Sequence, residues 1–154
     1  MSKILIVDDE EMVTTSLRNL FRLRTDYEAI TFTSPEEALR SAERHMYDLV
    51  ISDYLMPDID GITFLSRFKE AQPYAIRILL TGYADKESAI RAINEIGLYQ
   101  YVEKPWDNDA LLMIVKNAIE KAALLRTLEQ KILELRAAQG SLKEFQNELI
   151  RAFI

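Results

Sequence analysis

The chain has 154 residues, of which 49% are hydrophobic and 29% charged, a composition typical of a soluble protein with one full hydrophobic core. It contains no cysteine, which excludes a disulfide framework and a thiolate metal site. Its net charge of -6 comes from 18 acidic and 12 basic residues in positions 1–106 and seven of each beyond, so neither part has the basic face that nucleic acid requires.

The first 106 residues alternate between short β-type runs and segments with the period of a helix, the pattern of a parallel sheet with helices on both faces. Three of the runs are almost entirely apolar, as expected of strands that are covered on both faces. None of the four glycines forms a phosphate-binding loop of the Rossmann or Walker type, which excludes nucleotide binding by those routes. The sequence therefore predicts a doubly wound α/β domain with a five-stranded parallel sheet. Strands are predicted at 3–7, 28–32, 48–52, 76–80 and 99–103, and helices at 10–23, 35–45, 62–72, 85–96 and from Asp107 onward.

The sequence after Trp106 keeps the period of one helix to its end. Up to Ala122 its apolar stripe is broad enough to cover a sheet, whereas beyond Leu124 it narrows to a heptad seam typical of a coiled coil. We therefore predict one domain at 1–123 and a coiled-coil extension at 124–154, which pairs two copies in parallel and leads to a further domain beyond this sequence. A helix that folds back onto its own domain is the alternative. The predicted dimerisation residues, in which two glutamines at a positions set the register, are Leu125, Leu128, Ile132, Leu135, Gln139, Leu142, Gln146 and Leu149.

Polar side chains follow four of the predicted strands. Asp8 and Asp9 follow the first strand, and Asp53 follows the third. Thr81 follows the fourth strand and Lys104 the fifth. Because the carboxyl ends of parallel strands share one edge of a sheet, we expect these five side chains to converge. Three gathered carboxylates are typical ligands of a hard cation, and Mg²⁺ fits them best, although the acidic run that begins at Asp8 also fits a solvated helix start.

Four stretches carry a resemblance to a known family. They are "ILIVDDEE", "DLVISDYLMPDIDG", "ILLTGYAD" and "YVEKPW", and the resemblance that they carry extends over about residues 1–122. In order and spacing they resemble the receiver domain of two-component response regulators, the CheY-like domains. The resemblance implies a flavodoxin-like fold with strand order 2-1-3-4-5 and, here, an extended C-terminal helix.

The resemblance implies that Asp53 accepts a phosphoryl group from a sensor histidine kinase. Asp9 and Asp53 are expected to bind Mg²⁺ directly, together with the main-chain carbonyl of Leu55. Asp8 is expected to act on the metal mainly through water, and Lys104 to pair with a phosphoryl oxygen. Aspartate is a known nucleophile for such acyl phosphates, and Mg²⁺ and Lys104 supply the positive charge that phosphoryl transfer needs.

The resemblance also implies a switch made of two residues. Thr81 is expected to hydrogen-bond a phosphoryl oxygen, and its movement would open space for Tyr101, three residues before Lys104, to turn inward. The alternative for Tyr101 is a half-buried strand aromatic with no relay role. The Lys104–Pro105 peptide bond is expected to be cis, as it is in the family.

We expect a signalling module that is no enzyme apart from gaining and losing its own phosphoryl group. One alternative is a dimerising scaffold with an inactive receiver. Another is a phosphatase of the haloacid dehalogenase type, which needs a second acid two residues after its nucleophile, where this chain has Leu55. Because the longest apolar run, at 110–115, is too short for a membrane span, we also expect a cytoplasmic protein without membrane contact.

Overall fold

The computed structural model describes residues 1–153, apart from the side chains of Tyr83 and Phe153. Strands and helices alternate as predicted, with a short 3₁₀ turn at Tyr83–Asp85 before the fourth helix. The strands are β1 (Lys3–Val7), β2 (Glu28–Phe32), β3 (Leu49–Asp53), β4 (Ile76–Thr81) and β5 (Gln100–Glu103). The helices are α1 (Glu11–Arg24), α2 (Pro35–Ala42), α3 (Gly61–Ala71), α4 (Lys86–Glu95) and α5 (Asn108–Phe153).

The five strands form one parallel sheet in the order β2-β1-β3-β4-β5. This order confirms the predicted α/β class and the flavodoxin-like topology. The three central strands are almost wholly buried, whereas the edge strands β2 and β5 are half-buried or exposed. The register sets Val7 beside Ser52 and Thr81 beside Glu103, so the residues that end these strands meet at one edge of the sheet.

The hydrophobic core supports the sheet from both faces. Leu and Phe side chains in it are fully buried, and each stabilises the fold by about 1.5–3 kcal/mol relative to an exposed side chain. The sheet is therefore a firm base for the loops at its carboxyl edge. Helices α2, α3 and α4 contribute Ala38, Phe64, Leu65, Phe68, Ala89 and Ala92, and helices α1 and α5 contribute Leu17, Phe21, Leu111, Val115 and Ala118.

Some predicted boundaries are wrong by a few residues. Helix α2 ends at Ala42 and not at 45, because the side-chain amide of Gln72 donates hydrogen bonds to the carbonyls of Ala42 at 2.8 Å and His45 at 2.6 Å. These bonds hold the segment after α2 in a turn. Asp53 and Thr81 are the last residues of β3 and β4, one position inside the strands that they were predicted to follow.

The chain divides into two compact units, Met1–Ala122 and Ala123–Ile154. The second unit is helical as far as Phe153, and its side chains at 131–152 are all exposed. Residues 1–153 contain no helix with the length and apolar character that a membrane crossing demands.

Candidate functional site

Three carboxylates gather at the carboxyl edge of the sheet. Asp8 follows β1 and is fully buried, Asp53 ends β3 and is also buried, and Asp9 is exposed. One oxygen atom from each lies within 4.8 Å of the others, so the structure brings together three of the predicted metal-binding residues. Like charges this close repel one another, and the cluster is therefore a candidate site for a cation.

Lys104 places a positive charge among these acids. Its main-chain N–H donates to the carbonyl of Thr81 at 2.8 Å, which fixes the start of the segment after β5. Its Nζ lies 3.0 Å from Asp8 Oδ2 and 3.0 Å from Asp53 Oδ1. The Lys104–Pro105 peptide bond is cis, as predicted. Because the lysine side chain is only 25% exposed, both ion pairs are screened less than a surface pair.

Burial and the neighbouring charges shift two pKa values in the cluster. Burial raises the pKa of Asp53 and the Asp8 charge adds to the effect, while hydrogen bonds from Lys104 and from the Tyr54 N–H oppose it. Burial alone would lower the pKa of Lys104, but its bonds to Asp53 and Asp8 outweigh burial and raise that pKa. Lys104 therefore stays charged, whereas ionised Asp53 is held at a cost in free energy that a cation offsets.

Asp8 also differs from Asp9 in its hydrogen bonds within the protein. Its Oδ1 accepts a hydrogen bond from the N–H of Glu10 at 2.9 Å, and its Oδ2 accepts one from Lys104 at 3.0 Å. Both carboxylate oxygens of Asp8 are thus engaged within the protein. The sequence shows two adjacent acids after an apolar strand and carries no signal that tells which of them turns inward.

The side chain of Thr81 is buried with its hydrogen bonding incomplete. Among the described residues its Oγ1 has no hydrogen-bond partner. A buried hydroxyl is normally paired, so this atom is available to a further acceptor at the site. Tyr101 is half-buried on β5 and in register with Leu79, two residues before Thr81 on the adjacent strand. The structure therefore brings Thr81 to the acidic edge and Tyr101 to the neighbouring strand.

The loop between β3 and α3 packs closely behind Asp53. The N–H of Tyr54 donates to the carbonyl of Leu80 and to Asp53 Oδ1, each at 3.0 Å. The N–H of Gly61 donates to the carbonyl of Tyr54 at 2.7 Å. A Cβ at Gly61 would lie 2.1 Å from the Asp53 carbonyl oxygen, so this approach requires glycine. Leu55 lies in the same loop with its side chain 64% exposed, and its carbonyl as a metal ligand stays a prediction.

The predicted dimerisation residues all lie on α5 in the second unit. They form an apolar stripe broken by two glutamines, with only the first residue half-buried and the others exposed. An extended exposed apolar stripe is typical of a surface that a partner covers. The residues are Leu125, Leu128, Ile132, Leu135, Gln139, Leu142, Gln146 and Leu149.

The fold and this edge of the sheet together define a class of protein. A flavodoxin-like domain with a buried aspartate ending β3, acids after β1, a threonine ending β4 and a lysine after β5 is a receiver domain of the kind that signalling proteins use. The family model of the response regulator receiver domain matches residues 4–116, and the chain belongs to that family.

Curated relatives of the chain are response regulators. The hydrogenase transcriptional regulatory protein HoxA of Bradyrhizobium diazoefficiens is 33% identical over 141 residues, which are 92% of this chain and 29% of HoxA. The regulatory protein AtoC of Escherichia coli is 33% identical over 138 residues, which are 90% of this chain and 29% of AtoC. The chain thus spans less than a third of the length of these relatives.

Solved structures give the same fold. The signal receiver domain of an HD domain-containing protein from Pseudomonas fluorescens is 35% identical with a TM-score of 0.76, over 82% of this chain and 92% of that one. A response regulator receiver domain protein from Clostridium thermocellum is 33% identical with a TM-score of 0.75, over 81% of this chain and 99% of that one. Both similarities cover most of the described chain.

Proposed function

We propose that residues 1–123 are a phosphoacceptor module that takes a phosphoryl group from a sensor histidine kinase onto Asp53. The observation that carries the proposal is the contact of Asp53 Oδ1 with Lys104 Nζ at 3.0 Å, next to the strand that ends in Thr81, whose buried Oγ1 has no hydrogen-bond partner among the described residues. An acceptor carboxylate, a fixed cation and a free hydroxyl are the groups that a phosphoryl group needs around it. In the transfer, a carboxylate oxygen of Asp53 bonds to phosphorus, the phosphorus–nitrogen bond of the kinase phosphohistidine breaks, and the histidine nitrogen takes up a proton.

The donor set suits Mg²⁺, which prefers a few carboxylates and keeps several waters. Asp9 and Asp53 would hold the ion directly, together with the carbonyl of Leu55. The exposed side chain of Asp9 would turn toward the ion. Asp8 would act through water, since both of its oxygens already accept hydrogen bonds. When bound, Mg²⁺ supplies positive charge that offsets the negative charge of the phosphoryl oxygens.

Lys104 and Thr81 would orient the phosphoryl group. Lys104 would exchange its contact with Asp53 Oδ1 for one with a phosphoryl oxygen while it keeps Asp8. The Thr81 hydroxyl, which has no partner within the described part of the chain, would donate to another phosphoryl oxygen. The inward turn of Tyr101 would follow the movement of Thr81 and change the surface formed by α4 and β5. Apart from gaining and losing this phosphoryl group, the module would act as a signalling domain and not as an enzyme.

The helix beyond residue 123 would carry this change outward. We propose that residues 124–154 form a coiled coil with a second copy of the chain through the apolar stripe described above. HoxA and AtoC are regulatory proteins more than three times as long, and the Pseudomonas fluorescens receiver belongs to an HD domain-containing protein. These relatives support a role in which the receiver controls a second module through its helix.

Intact-mass measurement after incubation with acetyl phosphate and Mg²⁺ tests the proposal. We expect one added phosphoryl group that is lost in the Asp53→Asn variant and in the presence of a chelator. The control is Asp58→Asn, which makes the same change at an exposed aspartate of the same loop, where φ is 72° and asparagine is well tolerated. Many turnovers of phosphate release from an unactivated phosphate monoester, a donor much less reactive than acetyl phosphate, would favour the phosphatase. No addition, either from acetyl phosphate or from a phosphorylated kinase, would favour the inactive scaffold.

A further inference from the structure

Near the C-terminal end of the second unit, two large apolar side chains lie beside the seam and not on it. Phe145 is 57% exposed and Ile150 is 56% exposed. In the heptads that place Leu142 and Leu149 at d, Phe145 occupies a g position and Ile150 an e position. These flanking positions usually carry charged residues, so two apolar side chains here are unusual for a solvated helix.

The spacing of these two residues is self-complementary. In a parallel pair of helices in register, the residue at g lies beside the residue at e in the following heptad of the partner, five positions further along. Phe145 and Ile150 are five positions apart. A two-fold axis repeats every contact, so Phe145 of each copy would meet Ile150 of the other. Gln146, at the a position between them, would face its own counterpart.

We infer that Phe145 of each copy packs against Ile150 of a second copy, once on each side of the Gln146 pair. These two contacts set the helices parallel and in register. The inference rests on the dimer of the proposed function and adds the contact that selects its orientation. An amide is both donor and acceptor, so paired glutamines satisfy each other once the flanking apolar side chains exclude water.

The charged residues that flank the seam favour an antiparallel pair, by a small factor in affinity. A parallel pair brings Lys131 beside Arg136 of the other copy, whereas an antiparallel pair brings Glu129 beside Arg136. Exposed charge pairs of this kind change affinity by a factor of about two to five each. Lys131 already has a partner in its own helix, Glu134 at 3.4 Å, which weakens its repulsion of Arg136.

The polar seam positions outweigh these charges. The antiparallel register that joins Glu129 to Arg136 also sets Gln139 against Leu128 of the partner. A buried amide that faces an apolar side chain lacks a hydrogen-bond partner, which lowers affinity by a factor of about ten or more. In the parallel register Gln139 meets Gln139 and Gln146 meets Gln146, so both polar layers are satisfied.

Sedimentation equilibrium of the full chain measures how much the Phe145–Ile150 contact contributes to the affinity of the dimer. We expect Phe145→Ala and Ile150→Ala each to weaken the dimer by a factor of about ten or more, and the double variant to be little weaker than either single one. Non-additivity of this kind is the signature of two residues in contact. The matched control is Leu133→Ala, because Leu133 is 57% exposed but occupies a b position away from the seam, and it should change the dissociation constant less than about twofold.

Disulfide formation measures the orientation, since the chain has no cysteine of its own. Leu128→Cys and Leu149→Cys place single thiols at d positions near the two ends of the seam. In the parallel register each variant should crosslink to its own copy on mild oxidation. Glu144→Cys, at an outer f position, should not crosslink and serves as the control.

The outcomes separate the inference from the proposed dimer. A wild-type chain that stays monomeric at high concentration contradicts the dimer, and the inference with it. A wild-type dimer that Phe145→Ala weakens no more than Leu133→Ala does contradicts the inference alone. A dimer in which neither Leu128→Cys nor Leu149→Cys crosslinks is antiparallel or out of register, and either arrangement overturns the inference while the proposed pairing stands.

Discussion

Replacement of Lys104 by methionine tests whether this lysine holds the acidic cluster together. The substitution keeps a side chain of similar length, so it removes the charge without opening a large cavity. It breaks two contacts of 3.0 Å, with Asp8 and Asp53, and leaves the fully buried Asp8 without a cation. Removal of one partner from a buried ion pair costs about 3–5 kcal/mol. Because Lys104 is 25% exposed, we expect a smaller loss of about 2–3 kcal/mol.

Urea denaturation at neutral pH in a chelating buffer measures this free energy of unfolding. A loss of that size lowers the melting temperature by about 6–12 °C in a domain of this length. Acid should restore part of the stability of the variant, because Lys104 lowers the pKa of Asp53 and that carboxyl takes up a proton more readily without it. The control is Lys86→Met, whose lysine pairs with Glu103 at the surface at 3.8 Å and should lose less than about 1 kcal/mol. A Lys104→Met protein as stable as the wild type, or equal losses in both variants, would refute the reasoning.

Three further substitutions test other parts of the site in the same chelating buffer. Asp53→Asn should raise the stability at neutral pH. The pKa of Asp53 is raised in the folded state, so the wild type has its full stability below the unfolded-state pKa and loses part of it as pH rises through the folded-state pKa. The variant has no carboxyl to ionise at this position, so its gain in stability over the wild type should disappear when unfolding is measured in acid. Gly61→Ala should lower the stability by about 3 kcal/mol or more in thermal unfolding, because its Cβ would meet the Asp53 carbonyl at 2.1 Å, while Gly140→Ala, with nothing within 4 Å, should not. Thr81→Val should leave the stability within about 1 kcal/mol of the wild type, because Oγ1 has no hydrogen bond to any described residue. The substitution should still lower the yield of phosphorylated protein in the intact-mass assay.

The strand ends could be placed from the sequence because their signal is local. Asp53, Thr81 and Lys104 each come at the end of a predicted strand or directly after one, and parallel topology then brings the ends of those strands to one edge. The structure puts the first two one residue inside their strands, which leaves them at that edge. A pattern of short apolar runs was therefore enough to predict which side chains converge.

Features that depend on distant residues were beyond the sequence analysis. The end of α2 is set by the amide of Gln72, which lies 30 residues from Ala42 and leaves no trace in the period of that helix. The inward turn of Asp8 depends on the backbone after β1, which a bond from the Asp8 N–H to the carbonyl of Phe32 at 3.2 Å holds in place. Periodicity reports which face of an element is buried, but not which polar partner from another element meets it.

The resting site combines two unfavourable features that one modification would relieve. Ionised Asp53 is buried at a cost that its raised pKa reflects, and Thr81 Oγ1 is buried without a partner among the described residues. A phosphoryl group on Asp53 would bring acceptor oxygens to Thr81 and to Lys104, and Mg²⁺ would offset the remaining carboxylate charge. A modification shifts a conformational equilibrium only by the difference in its interactions with the two states. Thr81 lies on the strand next to that of Tyr101. If the proposed switch operates, a new hydrogen bond from Thr81 Oγ1 would favour the state in which both residues have moved, and the free energy of that bond would drive the change.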